Sequence, residues 1–548
     1  MLTRLAGGHV IDPANRRDTI GDIFIRDGRI VDAPAGGTVD ESYDISHKIV
    51  MAGAIDIHSH IAGSNETMGR LVLPEHRSQE SLLDGSHPGH FPQPAGTWNT
   101  FETGCTYAAM GFTTVVEPAV LPHQALQAHL ELADIPIIDK ATLTVLGNDD
   151  FLLNLLRRRE SSSAIRDYAA WTLSTSRGLG IKVINAGGAA AFKDNLRVFS
   201  LDDEVPQYGV SSRAIVKALQ HAVHELRLTH PLHVHCNNLG LAGNVETALA
   251  TIEAAESLPL HLAHLQFYGY GKEGPRGFSS AGARLAEAVN TAKSVTIDVG
   301  QVMFGQTVTI SCDVLRQFNA RNSAHPKKWV ICDGDSNGAG IVPYHYKATD
   351  FFNVVQWAVG LELFLLINDP WRIFFTTDHP NGAPFTAYPD ILALLMDRDL
   401  RAEWMSRLPK EALEVTTLSS IAREYSLVDI ATMTRAAPAK LLGLKDRGHL
   451  GVGALADIAV YSPGNDKATM FREAALVFKN GQLVVRDGTV CHAPFGRTLR
   501  ADPDCENGIK VRMRDYYEER YALSPEFMMV ADAVIGRPDP FEIVPCLN

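Results

Sequence analysis

The chain has 548 residues, 45% of them hydrophobic and 21% charged, enough apolar material for one large core and a second smaller one. A formal charge of −13 leaves no electrostatic footprint for nucleic acid, and no run of like charges marks an interaction tail. The opening "MLTRLAGGHVIDPANRR" has no apolar signal-peptide core, and the most apolar later stretch, "VVQWAVGLELFLLIND", carries Glu362 and is too short for a bilayer; no membrane is expected, and the cytoplasm is the expected compartment. Seven scattered cysteines without a CxxC pair argue against a disulfide framework and against cysteine-held zinc or iron–sulfur clusters, so any metal must rely on histidine and carboxylate.

In chain order, "GDIFIRDGRIVDAP" alternates with a period of two, with Asp27-Gly28 as a hairpin turn. A similar phrase, "AALVFKNGQLVVRDGTV", returns near the other end with Asn480-Gly481 at its turn, just after "GVGALADIAVYSP". The two ends are expected to pair, with residues 1–50 and 445–498 as the halves of a β-sandwich around an inserted domain at 51–444. Within the insert, eight buried strand-like runs alternate with helical patterns: "IVMAGAIDIHSH", "FTTVVEPAV", "PIIDKATLTVLG", "GIKVINAGG", "LHVHCNN", "LHLAHLQFYG", "SVTIDVGQ" and "RIFFTTDHP". That alternation predicts an α/β fold, a (β/α)8 barrel of the TIM type. Between the runs, "SRAIVKALQHAVHELRLT" and "SAGARLAEAVNTA" carry the i, i+3, i+4 spacing of helices packed by one face. Two spacings, at about 61–99 and 302–370, are too long for a plain barrel and read as insertions near its active face. Residues 499–548 form an extension in which "MRDYYEERYALSPEF" reads as a short amphipathic helix packed on the barrel or on a partner.

Residues i and i+2 of a strand point the same way, so His58 and His60 present two imidazoles to the barrel mouth. Alone, such a pair is more simply a pair of hydrogen-bonded core histidines. It has company at other strand ends: His233 and His235, His261 and His264, and Asp378 and His379 each close an apolar run. Imidazole and carboxylate from several strands suit zinc or a similar divalent ion. Lys182, inside the apolar "GIKVINAGG", would be badly desolvated as a free ammonium. It has two readings: a buried ion pair, with Asp378 as a possible partner, or an amine carboxylated by carbon dioxide to give a carbamate that bridges two metals.

The order HxH, Lys, His, His, Asp on successive strands, with "GALADIAV" and its hairpins, resembles the amidohydrolase superfamily. Longer phrases, "HSHIAG", "HCNNLG", "HLQFYGYG", "LLINDPWRIFFTTDHPNGAPFTAYP" and "ALLMDR", resemble the family of formylmethanofuran dehydrogenase A subunits over nearly the whole chain. That family includes the A subunit of the bacterial formyltransferase/hydrolase complex of methylotrophs. The resemblance implies a site with two divalent metal ions, zinc by family expectation: His58 and His60 on one, His235 and His264 on the other, N6-carboxylated Lys182 as the bridge, and Asp378 as both ligand and catalytic base. His233 and His261 fit a packing or orienting role at least as well as ligation. Asn237, Asn238, Gln266 and His379 are candidate substrate contacts, or loop-holding residues.

The reaction so implied is reversible hydrolysis of the N-formyl group of formyl-methanofuran or methylofuran to formate and free amine. The partners implied are the other subunits of the complex, including a formyltransferase. An alternative is the formate-condensing direction, as in formylmethanofuran dehydrogenase. Two rivals remain: a cyclic amidohydrolase of the hydantoinase or dihydroorotase kind, and a non-catalytic subunit that has kept only the fold. For an acidic cofactor tail, Arg157 to Arg159 and Lys327 with Lys328 are basic candidates, each also readable as a solvated face.

Overall fold

The computed structural model describes residues 1–34, 38–63, 66, 69, 100–194, 196, 198–311, 332, 333 and 340–547. Most of the expected insertion at 61–99, together with Lys327 and Lys328, lies outside the described residues.

Eight parallel strands form the barrel wall: β1 (Ala54–Asp56), β2 (Phe112–Val120), β3 (Asp139–Leu146), β4 (Gly180–Ile184), β5 (Leu232–His235), β6 (Leu260–Leu262), β7 (Val295–Asp298) and β8 (Ile373–Phe374). They are the eight runs read as strands from sequence. Each is mostly buried; every residue of β3 is. A strand covered on both faces can carry a continuous apolar run instead of an alternating one. The order β1 to β8 follows the chain, and the wall closes past the last strand, where Ser59 bridges His379 in parallel and His60 N–H donates to the His379 carbonyl at 2.9 Å. That closure brings the ends of β1 and β8 together at the barrel mouth.

The helices between strands bury one face each. In Ser212–Glu225 the Ser211 hydroxyl caps the start by accepting from Ala214 N–H, and Ile215, Val216, Leu219 and Val223 face the barrel. In the second long spacing, strands Gly305–Ser311 and Gly340–Tyr346 pair antiparallel ahead of the helix Phe351–Leu366, which the Asp350 carboxylate caps. This helix is buried along almost its whole length. Among the described residues no helix is long and apolar enough to cross a membrane.

Both chain ends build a second, nine-stranded sheet. Strand Ile49–Ala52 pairs antiparallel with Ile458–Tyr461, which unites them. Asp27-Gly28 and Asn480-Gly481 are two-residue hairpin turns with φ positive at both positions (50° and 78°, 49° and 76°), the geometry that favours Asn or Asp followed by Gly. The two tips meet: a Cβ added at Gly28 would stand 3.0 Å from the Asn480 carbonyl oxygen. The strands form one continuous sheet that curls over its own apolar cluster around Leu5, Val10, Ile23, Val50, Ile458 and Phe478.

After residue 497 the chain returns to the barrel. Strand Thr498–Arg500 pairs in parallel with Lys140 and Ala141 at the start of β3, and Phe541–Ile543 pairs with it in turn. Between them runs the helix Asn507–Tyr521, which starts six residues before the predicted amphipathic stretch and buries only Ile509 and Met513. It stops where Ala522 turns left-handed, three residues before Pro525. A buried ion network fastens the pieces: Asp139 of β3 meets Lys479 (2.7 Å) and Arg447 (3.0 Å), Lys479 also meets Asp457 (2.6 Å), and Arg447 reaches Glu542 of the tail (2.9 Å).

Candidate metal centre

The HxH pair leaves β1 just after Asp56. The Asp56 carboxylate accepts from His58 N–H and from the hydroxyls of Tyr107 and Tyr388, which fixes the turn that aims both imidazoles into the mouth. Each imidazole has a buried carboxylate behind it. His58 Nδ1 lies 2.9 Å from Asp298 Oδ2 at the end of β7, and His60 Nδ1 lies 3.1 Å from Glu117 Oε1 on β2. A carboxylate at Nδ1 makes that nitrogen the N–H and turns the Nε2 lone pair forward, the arrangement found behind metal-ligating histidines. The two Nε2 atoms converge on one oxygen, Oδ1 of Asp378, at 3.1 and 3.2 Å. One donor atom from each of His58, His60 and Asp378 lies within 4.8 Å of the others. The His60 side chain keeps 17% exposure while His58 has none, so the group opens on the His60 side.

The other expected residues gather at the same point. Lys182 of β4, only 1% exposed, brings Nζ to 3.1 Å from His58 Nε2. The rings of His235 and His264 meet edge to face with centroids 4.6 Å apart, and His264 is 5.2 Å from His58. Five of the six residues thus come from at or just past the C-terminal ends of β1, β5, β6 and β8, and Lys182 from the middle of β4. His264 and Asp378 both have left-handed backbone, with φ of 32° and 52°, which for residues other than glycine stores roughly 1–3 kcal/mol and clusters at functional sites. His264 is held there by its N–H, donated to Asp298 Oδ1 at 2.6 Å. Gly300 makes room for it: a Cβ on Gly300 would stand 2.4 Å from the His264 Cβ.

The donor set suits a cation. Burial, with His235, His58 and Lys182 beside it, holds the His264 imidazole well below its ordinary value against the pull of Asp378. Burial alone would also neutralise Asp378, but His264, His58 and His60 outweigh it and keep the carboxyl well below the usual range. Burial works against a charged His60 too, and Glu117 and Asp378 reverse it, carrying its pKa up to about 10. Asp378, Asp298 and Glu117 thus surround the imidazoles with negative charge that a proton on His60 now balances and that a divalent cation could balance in its place. His264 Nδ1 is buried with no hydrogen-bond partner among the described residues. Residue types, convergence and this orphaned nitrogen fit divalent metal binding.

One layer deeper, His233 and His261 sit in register with Lys182 across β4, β5 and β6. His233 links His230 to His58, each at 3.1 Å, and His261 lies 3.0 Å from Asp298 Oδ2 and 2.9 Å from Thr296 Oγ1. His58, His233 and Asp298 form a second convergent group, but it shares His58 and lies on the Nδ1 side of that ring, opposite the Nε2 that faces Asp378. Among the candidate substrate contacts, Asn237 donates to Ser212 and Asn238 joins Phe199 to Thr247, while Gln266 donates to Tyr270 and to the Gln356 carbonyl. His379 Nδ1 accepts from Phe385 N–H. Arg157, Arg158 and Arg159 are exposed at the end of a helix.

Sequence reasoning passed over Asp298 and Glu117. The available signal was a lone carboxylate near the end of a buried strand, in "SVTIDVGQ" and "FTTVVEPAV", where an unpaired charge is costly.

A family model described as "Amidohydrolase family" matches residues 41–492. The A subunit of the formyltransferase/hydrolase complex of Methylorubrum extorquens is 50% identical over the full length of both chains. Protein FwdA of Methanocaldococcus jannaschii is 37% identical over 96% of each. A crystal structure of the formyltransferase/hydrolase complex from Methylorubrum extorquens, in complex with methylofuran, contains a chain that superposes with a TM-score of 0.93 at 49% identity, covering 100% of both.

Proposed function

The chain belongs to the amidohydrolase family, and within it to the group formed by the A subunits of formyltransferase/hydrolase complexes; from that membership we propose that it hydrolyses a linear formamide, the N-formyl group carried by methylofuran or a related furan amine, to formate and free amine. It would work in the cytoplasm as the hydrolytic subunit of a complex with a formyltransferase. The observation that carries the reading is the convergence of His58, His60 and Asp378, each imidazole backed by a carboxylate, in a chain 50% identical throughout to such a subunit. Complete retention of this donor set weighs against a purely structural subunit.

His58 and His60 would hold one divalent ion, with Asp378 as its third ligand, and His235 and His264 the second; zinc suits these nitrogen and oxygen donors. Lys182, aimed at the same point from an apolar strand, would serve as the bridging ligand in its carboxylated form. Bound metal supplies Lewis acidity, which makes water nucleophilic at neutral pH and polarises the formyl oxygen. The protein's own part is positional and protonic. An amide resists hydrolysis because water is a weak nucleophile and an amine anion a poor leaving group. Asp378, ionised at neutral pH, can accept the proton of the attacking water at Oδ1 and return it to the departing amine nitrogen, as base and then acid. Asp298 and Glu117 keep the two imidazoles facing that oxygen.

Turnover by the metal-loaded complex of N-formyl furfurylamine-type substrates, compared with hydantoin and dihydroorotate, tests the reading. Formate release from the formamide supports it, and turnover of the cyclic amides alone would replace it with a cyclic amidohydrolase.

A further inference from the structure

We propose that Asp298 is a positioning residue that couples the two metal-holding groups, a role that rests on the reading above in which His58 and His264 serve different ions. Its carboxylate is fully buried at the end of β7 and divides its two oxygens between them. Oδ2 accepts from His58 Nδ1 at 2.9 Å, and Oδ1 accepts from the backbone N–H of His264 at 2.6 Å. Oδ2 also accepts from His261 Nε2 at 3.0 Å. Through the first bond Asp298 sets which nitrogen of His58 is free to bind. Through the second it holds the left-handed backbone that aims the His264 ring.

Glu117 provides the contrast within the same site. Its oxygens accept from His60 Nδ1 and the N–H groups of Ile61 and Ala62, next to the HxH pair, and from Ala119 N–H on its own strand; none of these partners is His264. Glu117 supports one group of ligands, whereas Asp298 spans both. An asparagine at position 298 would keep the shape, but its NH2 would face a donor on one side or the other. A neutral amide cannot accept from His58, His261 and His264 as a carboxylate does.

The test is zinc binding to the metal-stripped full-length protein, followed by equilibrium competition with a chelator, for wild type, Asp298→Asn and Glu117→Gln. Thermal melting of each metal-free protein separates ligand orientation from general loosening. Asp298→Asn should weaken both zinc equivalents by roughly tenfold or more with little change in metal-free melting, while Glu117→Gln weakens one. If the asparagine chain does not fold, Asp298→Ser, which removes the charge without adding bulk, is read by the same criterion. Wild-type affinity at either equivalent in the Asp298 variant overturns the coupling. A wild-type protein that binds no zinc overturns the parent reading, and the coupling with it, a result told apart by the wild-type arm alone.

Discussion

Nε2 of His58 and Oδ1 of Asp378 lie 3.1 Å apart, although one residue leaves the first strand of the barrel and the other follows the last. Closure of the barrel makes that contact, and it places a carboxylate where it can both share a metal and exchange a proton.

Asp378→Asn separates the two duties. A neutral amide still offers an oxygen to a metal but cannot take up a proton, so much of the bound metal should stay while formate release falls by roughly 10²–10⁴-fold. Metal analysis alongside an initial-rate assay checks this. Unchanged activity would remove Asp378 from the proton path.

Lys182→Ala removes the proposed bridge. Metal content should fall to half or less, and short carboxylates added at high concentration should restore part of it. Full occupancy without such additives would show that the lysine serves instead as a buried cation beside His58.

Gly300→Ala tests how closely His264 is fitted. The position has φ of 68°, and the added Cβ would collide with the Cα and Cβ of His264, which are not free to swing away. The variant should lose first the metal proposed for His235 and His264, seen as a drop from two equivalents toward one. Two equivalents of undiminished affinity would mean that His264 is not a ligand.

Lys479→Met tests the joint between sheet and barrel. Burial opposes charge on both partners, yet Lys479 and Arg447 hold Asp139 below the usual carboxylate range, and Asp139 and Asp457 raise Lys479 above its ordinary value. A depressed carboxyl contributes stability that is present above its unfolded value of about 3.9 and lost as pH falls through the folded one; a raised ammonium contributes below about 10.4 and loses it as pH rises. The network is therefore fully stabilising from about pH 4 to about pH 10. Removing the lysine leaves two buried carboxylates short of a partner and should cost about 3–5 kcal/mol at pH 7. Denaturant melts should show the gap to wild type narrowing below pH 4, as Asp139 protonates. A gap independent of pH would assign the loss to packing.

The barrel was legible because its strands are long apolar runs separated by one-faced helices, and the hairpins because Asp-Gly and Asn-Gly sit at turns that need two positive φ values. Five of the six gathered residues were legible because each follows or closes such a run with a polar group, and Lys182 because a lysine inside an apolar strand is badly desolvated. Asp298 and Glu117 were not, since a carboxylate's worth depends on what faces it, and His58 and His60 stand 240 and 57 residues away from them in sequence. The strand Thr498–Arg500 escaped for a different reason: three residues show no period, and only the free edge at the start of β3 makes a strand of them. Gly300 reads in sequence as an ordinary loop glycine until the ring beside it is seen.

The metals themselves are the most direct test of a hydrolytic centre at the barrel mouth. Anomalous diffraction at the zinc edge from crystals of the zinc-loaded protein should show two peaks. One should lie among His58, His60 and Asp378 and the other beside His235 and His264, with extra density on Lys182 between them. No peak at the barrel mouth, or two peaks elsewhere on the chain, would contradict a centre built from these six residues.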